Sequence, residues 1–300
     1  MVQLLSGYIV YALAFLLIYI ALATLLHLQF SITGIVNFGI AGFWGLGMYA
    51  FSVLLVTYEV PFFLALLLAA AITGIVAWLL GGVIMNLDGQ SVLVATLAFA
   101  TIIEHLATTE RWLTNGVMGF GTVTMPFNLG KMSLFALFLL ILVFVALLIL
   151  YVAKLKKSPY GRLLLSIQDN EILAQSLGKP TYKHKVILFA ISCAAIGLFG
   201  ALTAPLYSYI FPRMIGSSVT FTVWIALMLG GRKKLMGGLI GVLATVGMFD
   251  YFIETVVPIP RQFAELVPNL KFAIYGLMLI LVLMFRPLGI LGDNKKGVRG

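Results

Sequence analysis

Few titratable side chains fall inside the apolar runs of this sequence, and their spacing restricts the chemistry open to them. Glu104 and His105 are neighbours, so on a helix they point about 100° apart and cannot grip one metal ion. Thr96, Ala100, Glu104 and Thr108 follow at four-residue intervals and share one helix face. A charge at the bilayer centre costs at least ~2.5–3.5 kcal/mol, so that face turns towards protein or a wet cavity. Glu104 there either clamps a neighbouring helix or lines a pathway or gate. Asp250 and Glu254 repeat the four-residue spacing just ahead of Val256-Val257-Pro258. They suit either a cation or proton site or a hydrated pair at the interface. Ser217-Ser218 have no intramembrane histidine placed by sequence to activate them as nucleophiles. The single cysteine, Cys193, excludes an intrachain disulfide framework and a cysteine-based metal site. With no P-loop and no dinucleotide fingerprint either, the chain reads as a non-enzyme with no metal and no cofactor of its own.

The elements that position these groups are membrane spans. The 300 residues are 62% hydrophobic and only 10% charged, against about 25% charged in a typical soluble chain. A compact globule cannot hide that much apolar surface, so lipid is its solvent. One crossing takes about 20 apolar residues. The candidate spans are 7–27, 34–57, 61–85, 91–109, 132–153, 186–207, 217–231, 235–257 and 271–291. The expected fold is an all-α polytopic helix bundle, a single transmembrane domain over 1–300. All ten prolines fall at or near span ends or between spans, where a missing amide donor costs least.

With about nine spans, and an allowed range of about eight to ten, the termini lie on opposite sides. A cytoplasmic C-terminus leaves Arg111, Lys131, Arg213, Arg261 and Lys271 outside and the other fourteen of the 19 Lys and Arg inside. That is a clear positive-inside bias. The expected topology in the plasma or inner membrane therefore has the N-terminus outside, with the 154–185 loop and the 292–300 tail cytoplasmic. The net charge of +9 is loop charge of this kind, too dispersed for a nucleic-acid face. The first apolar stretch lacks a basic n-region and a small-residue cleavage site, so it reads as a retained span.

Two segments are irregular. Residues 34–47 carry glycines at 34, 39, 42, 45 and 47, each weakening a helix by ~0.8–1 kcal/mol relative to alanine. Small residues also let membrane helices approach closely. The segment is thus either a tightly packed helix or an interrupted one lining a pathway, and Asn37 needs a partner or water at that depth. Residues 217–231 are short, rich in Ser and Thr, and end in Gly230-Gly231. Interrupted segments following regular spans in two halves of a chain point to a transport site.

The 154–185 loop reads as two short helices. Pro159 starts the first, Tyr160 to Gln168; Asp169 or Asn170 caps the second, Glu171 to Leu177; Gly178 ends it and Pro180 forbids continuation. Such a pair docks on another protein or lies on the membrane.

The spacing Gly161-Arg162, Asp169-Asn170-Glu171, Ala174 and Leu177-Gly178, followed by Tyr182-Lys183, resembles the cytoplasmic loop of ABC importer permeases of the branched-chain amino acid class, LivM type. The resemblance extends over most of residues 30–292. It takes in Gly39 to Tyr49, Thr96-Leu97-Ala98-Phe99 with Glu104, the outer loop Leu113 to Gly119, and Tyr275-Gly276 with Phe285 to Gly292. Arg232-Lys233-Lys234 departs from the Gly-Ser usual after the paired glycines. The resemblance implies a permease subunit without chemistry of its own. Its partners would be a second permease, two ATPase subunits carrying ATP and Mg, and an extracytoplasmic substrate-binding protein. Gly161, Arg162, Asp169, Asn170, Glu171, Ala174, Leu177 and Gly178 would form the coupling helix that sits in the ATPase. Asn37, Gly39, Gly42, Thr96 and Glu104 are the pathway candidates. Branched-chain amino acids are the implied cargo, with urea, short amides and other small amino acids open. The competing reading is an ion-coupled secondary transporter using Glu104, Asp250 or Glu254.

Overall fold

The computed structural model describes residues 2–121, 123–126 and 130–247, together with 273, 274, 276, 277, 280, 281, 284 and 289. Its contacts divide the chain into two compact units, Met1–Phe221 and Thr222–Gly300. Seven described helices are long and apolar enough to cross a membrane: Gly7–Ile32, Ile40–Thr57, Phe62–Ile84, Gly89–Thr109, Ser133–Lys157, Thr181–Tyr207 and Pro212–Gly230. A shorter apolar helix covers Leu235–Gly247. Of the described positions in the last expected span, 271–291, residues 273, 274, 276, 277, 280, 281 and 284 are helical and Gly289 is not. Asp250, Glu254 and the 292–300 tail lie outside the described residues.

The first unit is built around one short central helix. Helix α1 (Val2–Leu26) continues as a π-helical turn over His27–Ile32, so the first span runs past the boundary expected at residue 27. Residues 34–39 are not helical. Helix α2 (Ile40–Ser52) then rises and ends in a second π-turn, Val53–Thr57. Both readings of the glycine-rich segment are therefore partly realised: the chain breaks, then packs as a helix. Around α2 stand α3 (Phe62–Ile84), α4 (Gly89–Thr109) and α9 (Thr181–Tyr207), while α6 (Ser133–Lys157) packs on α1. Between α4 and α6 lies the short α5 (Arg111–Thr114), and α7 (Pro159–Asp169) and α8 (Glu171–Ser176) form the 154–185 loop.

Glycine lets α2 sit so deep. A Cβ on Gly47 would fall on the Gly197 backbone of α9, and one on Gly200 would fall on the Trp44 carbonyl. Against α4, a Cβ on Gly42 would lie 2.6 Å from the Ala100 Cα. Phe43 fills what remains, with ring centroids 4.5 Å from Phe99 and 5.5 Å from Phe189. Peripheral helices bury only a stripe: in α6 it is Ser133, Leu137, Ile141, Val145 and Val152, the rest facing the surroundings as expected for lipid contact.

Strands Phe120–Gly121 (β1) and Tyr209–Ile210 (β2) pair antiparallel and tie the loop after α5 to the end of α9. Segment 217–231 is more regular than its composition suggests: helix α10 (Ser217–Gly230) is continuous and is preceded by a 3-10 turn at Pro212–Ile215. In the second unit, a Cβ on Gly241 would meet Ala226, and one on Gly237 would meet Gly231. That packs α11 (Leu235–Val242) closely on the end of α10. Of the C-terminal signature Phe285 to Gly292, Gly289 is described, with φ +82°, and a Cβ there would fall on the Gly231 backbone.

Helix α4 starts at an Asp cap. The Asp88 carboxylate accepts from the Gln90 and Ser91 amides at 3.2 and 3.3 Å and from the Ser91 hydroxyl at 2.6 Å. The Ser91 side-chain bond, then its backbone bond, hold the Asp88 pKa below the usual carboxylate value. A depressed folded-state pKa adds stability above the unfolded pKa that is lost as pH falls through the folded one. Asn caps as well as Asp without titrating. Asp88→Asn is therefore expected to flatten the fall of Tm between about pH 5 and 2, with little change at neutral pH. An unchanged acid limb in thermal melts would remove this role.

Candidate functional site

The helix break at 34–39 leaves amide donors of α2 unbonded inside the protein, where an orphan donor is expensive. Side chains from four elements close the gap. The Phe38 amide donates to Thr96 Oγ1 of α4 at 3.0 Å. The Gly39 amide donates to Asn37 Oδ1 at 2.7 Å, and the Ala41 amide to Thr220 Oγ1 of α10 at 3.0 Å. Asn37 Nδ2 donates to Gln29 Oε1 at 3.0 Å, and Gln29 Nε2 donates to Ser192 Oγ of α9 at 2.6 Å. Both amides also lie against the Cys193 sulfur, at 3.7 and 3.4 Å. The side chains that build this network belong to Gln29, Asn37, Thr96, Ser192, Cys193 and Thr220, each at most 1% exposed, so the network is a satisfied polar core.

Four of the five pathway candidates meet here. Asn37, Gly39 and Thr96 belong to the network, and Gly42 lies one turn further along α2 against Ala100. Gly39 has no room for a side chain: a Cβ would lie 2.7 Å from the Thr96 carbonyl oxygen. Glu104 is two turns along α4 from Thr96, half-buried beside the Pro212–Ile215 turn. A Cβ on Gly216 would come within 3.9 Å of its carboxylate. The shared face of Thr96, Ala100 and Glu104 points inward as its spacing requires, while His105 is exposed. Among the described residues the Glu104 carboxylate makes neither an ion pair nor a hydrogen bond. No group of three or more His, Cys, Asp or Glu is placed to hold a metal among the described residues.

Gln29, Ser192, Cys193 and Thr220 escaped the reading of the sequence as site residues. Gln29 falls two residues past the expected end of the first span, so it reads as loop. Its signal was a lone amide inside an otherwise apolar run, which is the same signal that marked Asn37.

The loop is tethered to the bundle at both ends. Ser158 Oγ caps α7 through the Gly161 amide at 3.0 Å, which starts the helix one residue before the expected Tyr160. Gly161 is buried where a Cβ would fall on the Leu155 carbonyl. Leu164 and Ile167 are buried beneath α7, while Arg162 and Asp169 are exposed. Asn170 Oδ1 accepts from the Leu173 amide at 3.0 Å and caps α8. Glu171 pairs with Lys185 at the foot of α9, and Gln175 Nε2 donates to Thr181 Oγ1 at 2.9 Å. Ala174 is buried; Ile172, Leu173 and Leu177 are 77%, 58% and 71% exposed. Gly178 closes the helix at φ +74°, its amide donating to Gln175 and the Lys179 amide to Ala174. These two bonds make the αL-type C-terminal cap that glycine favours.

The loop and the break touch. Helix α7 packs on the His27–Ile32 turn. Gly34, at φ +79°, faces Gln168: a Cβ there would be 3.5 Å from Gln168 Cγ and 3.7 Å from its Cα. The eight loop residues expected from the sequence thus lie on α7, α8 and their caps, and α7 rests on the His27–Ile32 turn and on Gly34, just before Asn37 and Gly39.

Comparison with known proteins points the same way. A family profile described as branched-chain amino acid transport system, permease component, matches residues 8–283. The high-affinity branched-chain amino acid transport system permease protein LivM of Salmonella typhimurium is 26% identical over 92% of this chain and 68% of its own length. LivM of Escherichia coli is 24% identical over the same shares. A probable branched-chain amino acid transport permease protein LivH of Methanocaldococcus jannaschii is 25% identical over 99% of this chain and 94% of its own. No solved structure is a significant match. The apolar helices and the match over nearly the whole chain make this a multi-pass membrane protein that belongs to the family of branched-chain amino acid transport permease components.

Proposed function

We propose that the chain supplies half of the translocation pathway of an ATP-driven importer for branched-chain or closely related small amino acids. It pairs with a second permease, with two ATPase subunits that carry ATP and Mg, and with an extracytoplasmic substrate-binding protein. Its N-terminus is outside; its C-terminus and the 154–185 loop are cytoplasmic, where the Lys and Arg excess belongs. The cargo follows the names of the relatives.

One observation carries the reading: the apolar crown of α8. Ile172, Leu173 and Leu177 project from a loop whose base is bonded to the bundle through Glu171 and Gln175 and packed on it at Gly161. Apolar side chains held out of the protein on a firmly seated, polar loop mark a partner surface. When the ATPases close on ATP, they push this crown, and α7 carries the displacement to the 34–39 break through Gln168. Helix α2 then shifts against α4 and α9, moving the face that carries Asn37, Gly39, Gly42, Thr96 and Glu104. Arg162, Asp169 and Asn170 lie around the crown as polar contacts.

The test is co-purification with the ATPase subunits. Ile172→Asp combined with Leu173→Asp is expected to cut ATPase retention by about tenfold or more, as for the loss of buried anchors at an interface, with an unchanged Tm for the permease. Full retention by the folded double variant would overturn the docking role. Uptake by the chain alone, driven by an ion gradient, would favour the secondary transporter instead.

A further inference from the structure

The groove between the loop-side ends of α3 and α9 has the chemistry of a lipid site. Trp78, Leu79 and Gly82 of α3 and Tyr182, Lys183 and Ile187 of α9 line a cavity of about 440 Å3. Gly82 forms its floor because it has no side chain, and the Tyr182 hydroxyl donates to the Gly82 carbonyl at 2.7 Å, fixing the wall. Trp78 is 56% exposed and Ile187 47% exposed, so the groove opens sideways rather than into the bundle. With Tyr182 committed to Gly82 and Lys185 to Glu171, Lys183 is the cation left at the mouth; it makes no ion pair among the described residues.

Depth along the helices orders these groups. Lys183 is the third residue of α9, at the level where span ends meet headgroups. Ile187 lies one turn further in, about 6 Å deeper at 1.5 Å per residue. Trp78 sits six residues before the end of α3, about 9 Å from it on the same scale. A cation at headgroup depth above an apolar slot is complementary to a molecule with an anionic head and a hydrocarbon tail. No acidic side chain lines the groove, so nothing there repels such a head.

We propose that this groove binds an anionic phospholipid of the leaflet on the loop side, with its phosphate on Lys183 and one acyl chain along Trp78, Leu79 and Ile187. The site is independent of the importer reading: it asks nothing of an ATPase or of the cargo.

The test uses the full-length chain in phosphatidylcholine vesicles doped with brominated phosphatidylglycerol or brominated phosphatidylcholine. The Trp78 signal is the difference in tryptophan quenching between the parent protein and Trp78→Phe. Phosphatidylglycerol is expected to quench it with about fivefold higher apparent affinity than phosphatidylcholine, the preference one lysine near the surface confers. Lys183→Gln is expected to abolish that preference, Lys183→Arg to retain it, and Lys179→Gln, outside the groove, to leave it unchanged. Equal quenching by the two lipids would overturn the site, as would a preference that survives Lys183→Gln or is lost equally in Lys179→Gln. Absence of any Trp78 quenching would mean that protein, from a second copy, covers the groove, and would overturn it too.

Discussion

Gly47→Val is expected to prevent the bundle from closing, seen as the loss of a cooperative thermal transition in detergent and a collapse in the yield of monodisperse protein. A Cβ at this position lands on the backbone of Gly197, and a Cβ on Gly197 would in turn land on Thr73 of α3. Three helices therefore meet through two glycines, and at Gly47 the contact is with main chain, so no side chain can swing aside there. Overpacking in a core that can adjust its side chains costs about 1–3 kcal/mol; here main chains must separate, so the cost lies at or above that upper end. Against a total stability of about 5–15 kcal/mol, that removes much of the margin. Gly7→Ala is the contrasting variant. Nothing lies within 4 Å of a Cβ on Gly7, and alanine improves helix propensity by up to ~1 kcal/mol, so its Tm is expected to hold or rise slightly. A Gly47→Val protein that melts like the parent would show that α2 does not approach α9 this closely.

Gly178→Pro is expected to cut substrate-stimulated ATPase activity of the assembled complex by about tenfold, within the range by which residues along a coupling route act, while docking of the binding protein persists. Proline cannot adopt φ +74° and has no amide to give to Gln175. The cap of α8 is lost and the crown of Ile172, Leu173 and Leu177 no longer stands on a fixed base. Gly178→Ala, which keeps the amide and meets only the ~1–2 kcal/mol left-handed penalty, is expected to fall between. Glu171→Ala acts on the other end of the same helix by freeing Lys185 and is expected to reduce stimulation in the same assay. Normal stimulation in both Gly178→Pro and Glu171→Ala would end the lever role of the loop.

The loop was the most legible part of the chain because its determinants are local. Pro159 at the first position of α7, Asn170 capping the Leu173 amide and Gly178 donating to the Gln175 carbonyl each act within three residues, so their positions alone place the ends of α7 and α8. The inward face of α4 was legible for a similar reason: the period of Thr96, Ala100 and Glu104 is a property of one helix. The break at 34–39 was not. Five glycines are compatible with a helix packed closely and with a helix interrupted, and the choice rests on acceptors 58 and 179 residues away, Thr96 and Thr220. Gln29 illustrates the same limit. An amide near the end of an apolar run looks like a boundary residue, and only a π-turn that carries the span to Ile32 makes it buried. The regularity of α10 differs from the expectation for 217–231: the segment is one continuous helix, and its Thr220 hydroxyl accepts from the Ala41 amide.

The capping of α2 by distant side chains bears on how the chain is made. A segment entering the membrane during synthesis needs its backbone satisfied as it leaves the translocation machinery. The native acceptor of the Phe38 amide, Thr96, is made 58 residues later, and that of the Ala41 amide, Thr220, 179 residues later. Helix α2 therefore cannot mature in the order of translation. Its native caps are complete only once most of the first unit has been synthesised, although it is second in the chain.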